Sequence, residues 1–125
     1  MKFPMIHVCY RVLDLEASEK FYIDAFGFEI SRKKDFPDDF TLTYLQAPGL
    51  DFEIELTYNY GHEEPYTIGD GYSHLAVGVD DLEAAHARHR EMGLEVTDLK
   101  GLAGGAPKFY FVTDPDGYKI EVVRN

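Results

Sequence analysis

The stretch HVCYRVLDLEASEKFYIDAFGFEI, residues 7–30, decides the fold because most of it occurs twice. It lies over HLAVGVDDLEAAHARHREMGLEV, residues 74–96. His7 falls on His74, Val12 on Val79, and Asp14-Leu15-Glu16-Ala17 on Asp81-Leu82-Glu83-Ala84. One residue drops out inside the helical part, after which Gly27-Phe28-Glu29-Ile30 meets Gly93-Leu94-Glu95-Val96. Continued at that offset, Glu55 lands on Glu121, and FEIELT meets YKIEVV. Self-similarity kept in order over this length, with a single one-residue gap, is the mark of a duplicated structural unit.

Each copy carries the same local signals. A strand at about 5–12, and again at about 73–79, runs into an acidic N-cap at Asp14, or at Asp80/Asp81. Amphipathic helices at about 15–26 and 82–92 end at Gly27 and Gly93, placed as C′ glycines. Alternating stretches near 28–34, 40–46 and 51–59, then near 94–98, 107–112 and 118–123, predict three further strands per copy. Pro37-Asp38-Asp39, Pro48-Gly49, Gly104-Gly105 and Asp114-Pro115-Asp116-Gly117 supply the turns. The expected fold is α+β: two βαβββ modules, about 1–60 and 72–125, joined by the polar linker 61–71 into a single domain over 1–125.

Composition bounds the function. The formal charge is −11, which excludes a nucleic-acid partner because phosphate binding needs a basic surface. No apolar run approaches the roughly 20 residues of a membrane span, so no membrane partner is expected. MKFPMIHVCY does not read as a signal peptide, and the lone Cys9 fits a reducing cytoplasm.

Strand periodicity then sorts the polar residues. Ile6, Val8, Tyr10 and Val12 share one face of the first strand, leaving His7, Cys9 and Arg11 on the other. In its repeat, Leu75, Val77 and Val79 oppose His74, Ala76 and Gly78. Glu55 and Glu121 likewise lie opposite apolar rows. A lone strand histidine or glutamate is ordinarily structural or solvated. A histidine and a glutamate matched in both copies form a His₂Glu₂ donor set suited to a divalent transition metal. His62, His86 and His89 lack a counterpart and are expected to be exposed, as is Glu53; Cys9 is read as a small wall residue.

The segments HVCYRVLDLEASEKFY, IELTYNYG, GYSHLAVGVDDL and FVTDPDGYKIEVV resemble glyoxalase I (lactoylglutathione lyase) of the vicinal-oxygen-chelate superfamily, over essentially the full chain. That resemblance implies curved mixed sheets forming a metal-binding cleft, with His7, Glu55, His74 and Glu121 as ligands. It implies nickel or cobalt, with zinc possible in the same donor set, and a homodimer whose sites are shared between chains. The implied reaction isomerises the methylglyoxal–glutathione hemithioacetal to S-lactoylglutathione by glutamate-mediated proton transfer through a metal-stabilised enediolate. Glu121 is assigned as the principal base with Glu55 as its partner, an order that the stereochemistry could reverse. The family pattern carries over to Arg11 and Asn59 as contacts for glutathione, the cosubstrate. The chain departs from bacterial relatives at Ala103-Gly104-Gly105, where a Lys-Gly-Gly is common; Lys100 or Lys108 is the available substitute.

Three alternatives share the fold. A metal-dependent epimerase of the superfamily typically has glutamine where this chain has Glu55. Ring-cleaving dioxygenases use a two-histidine, one-glutamate iron site, usually in longer chains. A metal-free small-molecule-binding resistance protein loses the ligands that this chain keeps.

Overall fold

Two aspartates start the two helices. Asp14 Oδ1 accepts the Ala17 N–H at 3.0 Å, and Asp81 Oδ1 accepts the Ala84 N–H at 3.0 Å. Each satisfies a helix-start donor that has no partner within the helix. The structure, a computed structural model, describes residues 1–101 and 105–125. The first helix, α1, runs Leu15–Phe26 and the second, α2, Leu82–Glu91. Gly27 closes α1 in the left-handed region at φ 69°, a conformation that costs most other residues free energy.

The described residues fall into two units, Met1–Thr67 and Ile68–Asn125. In the first, β1 (His7–Arg11), α1, β2 (Glu29–Phe36), β3 (Phe40–Gln46) and β4 (Glu53–Asn59) follow in chain order. In the second, β5 (His74–Val79), α2, β6 (Glu95–Val96), β7 (Phe109–Thr113) and β8 (Lys119–Arg124) repeat the plan. The sheets run β1-β4-β3-β2 and β5-β8-β7-β6. In each the first strand pairs in parallel with the last, and the other pairings are antiparallel. The expected α+β architecture of two βαβββ modules is therefore observed. Of the predicted turn Gly104-Gly105 and the tripeptide Ala103-Gly104-Gly105, positions 103 and 104 lie outside the described residues.

Alternation along the strands decides which face is covered. In the first unit Tyr10, Val12, Ile54, Leu56 and Leu45 are buried, with Phe21, Tyr22 and Ala25 of α1. The helix packs on β3 and β4. Glu19 of α1 is buried with them, where it accepts from Thr43 Oγ1 at 2.8 Å and pairs with Lys33 Nζ at 2.8 Å. That pairing offsets the cost of burying its charge. In the second unit Leu82, Tyr110, Val112, Ile120 and Val122 are buried, and α2 packs on β7 and β8.

Two histidines expected at the surface belong to this second core. His86 is 9% exposed and His89 3% exposed. His86 Nε2 lies 2.8 Å from the Thr97 carbonyl oxygen, and His89 Nδ1 shares a 2.8 Å hydrogen bond with the Tyr110 hydroxyl. Leu82, His86 and His89 stand at helical spacing on one face of α2, so the packing treats both imidazoles as core groups with a polar end satisfied. His62 is exposed as expected, stacked on Tyr66 at a 4.1 Å centroid distance.

The β7–β8 turn sets the position of everything after it. Asp114 is 5% exposed, and its Oδ1 accepts the backbone N–H groups of Asp116 and Tyr118, both at 2.9 Å. Gly117 completes the turn at φ 98°. Replacing Asp114 with alanine leaves two donors without their acceptor and should cost about 2 kcal/mol, read as a lower denaturation midpoint. Burial also pushes the Tyr110 hydroxyl up to about 12, from a usual value near 10. Below the usual value the phenol is neutral in both folded and unfolded chains. Stability should therefore fall as pH rises between these two values, where only the unfolded chain ionises. Tyr110→Phe should flatten that part of a stability–pH curve without abolishing it, because Tyr44 is raised to about 12 as well.

Candidate metal centre

Parallel pairing of β1 with β4 sets Cys9 opposite Glu55, two residues along from His7. Parallel pairing of β5 with β8 sets Ala76 opposite Glu121, two residues along from His74. The two units thus use one register to bring a histidine and a glutamate together. His7 Nε2 lies 3.6 Å from Glu55 Oε2, and His74 Nε2 lies 3.4 Å from Glu121 Oε1. Both separations exceed an ordinary hydrogen bond. Two donors each about 2.1 Å from one ion stand about 3.0–3.4 Å apart at the usual coordination angles. The His74–Glu121 pair falls at the edge of that range, and the His7–Glu55 pair lies 0.2 Å beyond it, so the His7–Glu55 pair would have to draw together slightly to share an ion. In the His74–Glu121 pair, Ser73 Oγ lies 2.6 Å from His74 Nδ1, which engages that nitrogen and leaves Nε2 on the glutamate side. No three His, Cys, Asp or Glu side chains gather into a single group among the described residues.

The carboxylates are partly sheltered, with side-chain exposures of 14% for Glu55 and 21% for Glu121. Their surroundings differ. The Tyr44 hydroxyl, from the facing position on β3, donates to Glu55 Oε2 at 2.5 Å. The Thr57 hydroxyl donates to Glu55 Oε1 at 3.3 Å. The bond to Glu55, followed by burial, raises Tyr44 to about 12, so it remains a donor near neutral pH. Facing Glu121 is Phe111, whose ring meets His74 edge-on at a 5.1 Å centroid distance.

The superfamily described as Glyoxalase/Bleomycin resistance protein/Dioxygenase matches residues 5–122 of this sequence. The chain belongs to that superfamily. Among its relatives is the lactoylglutathione lyase of Haemophilus influenzae, 42% identical over 97% of this chain and 92% of that protein. A solved structure of the trypanothione-dependent glyoxalase I of Leishmania major superposes with a TM-score of 0.84. It is 37% identical over 98% of this chain and 87% of that one. Glyoxalase I from Zea mays gives a TM-score of 0.87 at 36% identity over 97% of this chain, which spans only 44% of the maize chain. The resemblance to glyoxalase I and the expectation of an enzyme of the lactoylglutathione lyase kind are borne out by these relatives.

The other residues of this superfamily member that the sequence singled out are distributed as follows. Arg11 is exposed on the His7 face of β1. Asn59 ends β4, and its side-chain amide donates to the Tyr66 hydroxyl at 3.0 Å, tying the following loop to the strand. Lys100 and Lys108 are exposed neighbours, joined by a 2.6 Å backbone hydrogen bond from the Lys108 N–H to the Lys100 carbonyl. Cys9 Sγ lies 3.2 Å from Thr57 Oγ1; burial of the sulfur, then the Glu55 charge, push the thiol up, which disfavours thiolate chemistry.

Glu53 is not the surface residue expected. Its side chain is 14% exposed, it accepts from Ser31 Oγ, and it pairs with Arg32 at 3.1 Å. Those donors, the Ser31 bond foremost, hold its carboxyl below the usual range. Sequence reasoning also missed Tyr44, and it placed Thr57 on the Glu55 face without giving it a role. Thr57 was legible as the residue two beyond Glu55 on the same strand face. Tyr44 becomes visible only once β3 is registered against β4.

Proposed function

We propose that the chain is a glyoxalase I acting on the hemithioacetal of methylglyoxal and glutathione. The observation that carries this reading is the His–Glu pair set by the same parallel register in both units. It is supported by the 42% identity to a relative named lactoylglutathione lyase. His7, Glu55, His74 and Glu121 are the proposed ligands of one divalent ion per site, nickel or cobalt, with zinc compatible with the same donors. In the proposed homodimer, His7 and Glu55 of one chain meet the partner's His74 and the partner's Glu121. A soluble cytoplasmic location is part of the proposal. Among the described residues no helix is long and apolar enough to cross a membrane.

When bound, the ion supplies Lewis acidity, withdrawing charge from the substrate oxygens as the carbon-bound proton departs. The chain supplies the proton chemistry. Glu121 takes the proton from C1, the carbon bearing the thiol sulfur, and a proton is returned at C2. The hydroxyl proton passes from the C1 oxygen to the C2 oxygen, so the product is an isomer and no oxidant or reductant enters. Arg11 and Asn59 hold the γ-glutamyl end of glutathione. Lys100 or Lys108 meets the glycyl carboxylate as a flexible cation.

Metal-stripped protein given nickel, cobalt or zinc in turn should form S-lactoylglutathione, followed by its ultraviolet absorbance. Absence of turnover with all three overturns the enzyme reading. Glu121→Gln should lower kcat by about 10²-fold or more with the fold intact. Lys100→Ala and Lys108→Ala, separately and together, should raise KM for the glutathione adduct while leaving kcat near its starting value. If neither moves KM, the cosubstrate end has been misplaced and another small thiol becomes the better candidate. A monomeric mass in solution would exclude the site shared between chains.

A further inference from the structure

The two carboxylates of the site are not held alike, and the difference lies in one cross-strand position. Tyr44 is 5% exposed and stands directly opposite Glu55 in the β3–β4 ladder. Its hydroxyl reaches Glu55 Oε2 at 2.5 Å, while Thr57 Oγ1 reaches the other oxygen at 3.3 Å. The Tyr44 ring is itself fixed. The Arg32 guanidinium lies 3.9 Å from its centroid, and His7 meets it edge-on at 6.0 Å. Arg32 is in turn held by Glu53 at 3.1 Å. In the second unit the position opposite Glu121 is Phe111, and Val123 stands where the duplication places Thr57. Neither carries a hydroxyl. Among the described residues, the one polar group meeting Glu121 is His74, at 3.4 Å.

We propose that Tyr44, assisted by Thr57, is a positioning residue that locks the Glu55 carboxylate in one orientation, leaving Glu121 as the glutamate able to swing. The inference rests on the glyoxalase reading given above. A short O–H···O⁻ bond is among the strongest neutral-donor hydrogen bonds. With a donor on each oxygen, rotation of Glu55 breaks two bonds, whereas rotation of Glu121 breaks none. A group that must alternate between ligating and accepting a carbon-bound proton needs that freedom. Outer-shell donors of this kind also orient a ligand and strengthen its grip. The duplication supplied two equivalent glutamates; the Tyr44/Phe111 difference divides their work.

The test exchanges the two positions. Tyr44→Phe and Phe111→Tyr would each be compared with wild type for cobalt(II) dissociation constant, by competition titration, and for kcat and KM. Tyr44→Phe should bind cobalt about 10-fold more weakly. Phe111→Tyr should bind cobalt at least as tightly as wild type yet show kcat lowered by about 10-fold or more, with KM little changed. Far-ultraviolet circular dichroism identifies any variant that misfolds, and Thr57→Val then serves as the second probe of the clamp, expected to weaken cobalt binding several-fold. Wild-type cobalt affinity in a folded Tyr44→Phe, or wild-type kcat in Phe111→Tyr, overturns the proposal. A wild-type protein that binds cobalt but isomerises nothing overturns the glyoxalase reading instead, and the affinity comparison still judges the role of Tyr44.

Discussion

Everything at the candidate site depends on the parallel pairing of the first and last strand in each unit. A parallel neighbour cannot be reached by a tight turn, so the chain crosses over through a helix before the intervening hairpins return it. That crossover covers the apolar face of the sheet and leaves the opposite face for chemistry. Because β1 is registered on β4 as β5 is on β8, the same two-residue offset brings His7 toward Glu55 and His74 toward Glu121. A one-residue slip in either pairing would send the glutamate to the helix-covered face. Burial of Ile54 and Leu56 on one side, and of Ile120 and Val122 on the other, makes such a slip costly.

Duplication explains the likeness of the two histidine–glutamate pairs, and divergence explains their different surroundings. Around Glu55 the neighbours are Cys9, Thr57, Tyr44 and Arg32, which bring hydroxyls, a thiol and a cation. Around Glu121 the matching positions hold Ala76, Val123 and Phe111. The first half-site is therefore a hydrogen-bonded network and the second an apolar wall behind a histidine–glutamate pair. A satisfied network holds a carboxylate still, whereas an apolar surround offers no hydrogen bond to fix its orientation.

The expectations that failed did so for traceable reasons. His86 and His89 read as polar residues on a charged helix, although their spacing from Leu82 already matched a buried face. What the sequence lacks is the Tyr110 hydroxyl and the Thr97 carbonyl that let imidazoles enter a core. Glu53 was placed on the same face as Glu55 and assigned to solvent. Its donors, Ser31 and Arg32, lie across the sheet at the register shift in β2 between Ile30 and Arg32, and no local pattern announces such a shift.

Sequence alone determined the duplication, the order of elements within each unit, the helix caps and the strand face on which every candidate ligand lies. These are local properties: strand period, capping chemistry and turn residues act over a few positions and are written directly in the residues. Tertiary structure alone decided which strands became neighbours and at what register. It therefore decided that a tyrosine faces Glu55 while a phenylalanine faces Glu121. Pairing between distant segments is set by how their apolar faces pack on a shared core, a free energy that belongs to the assembled sheet and to no single stretch of it.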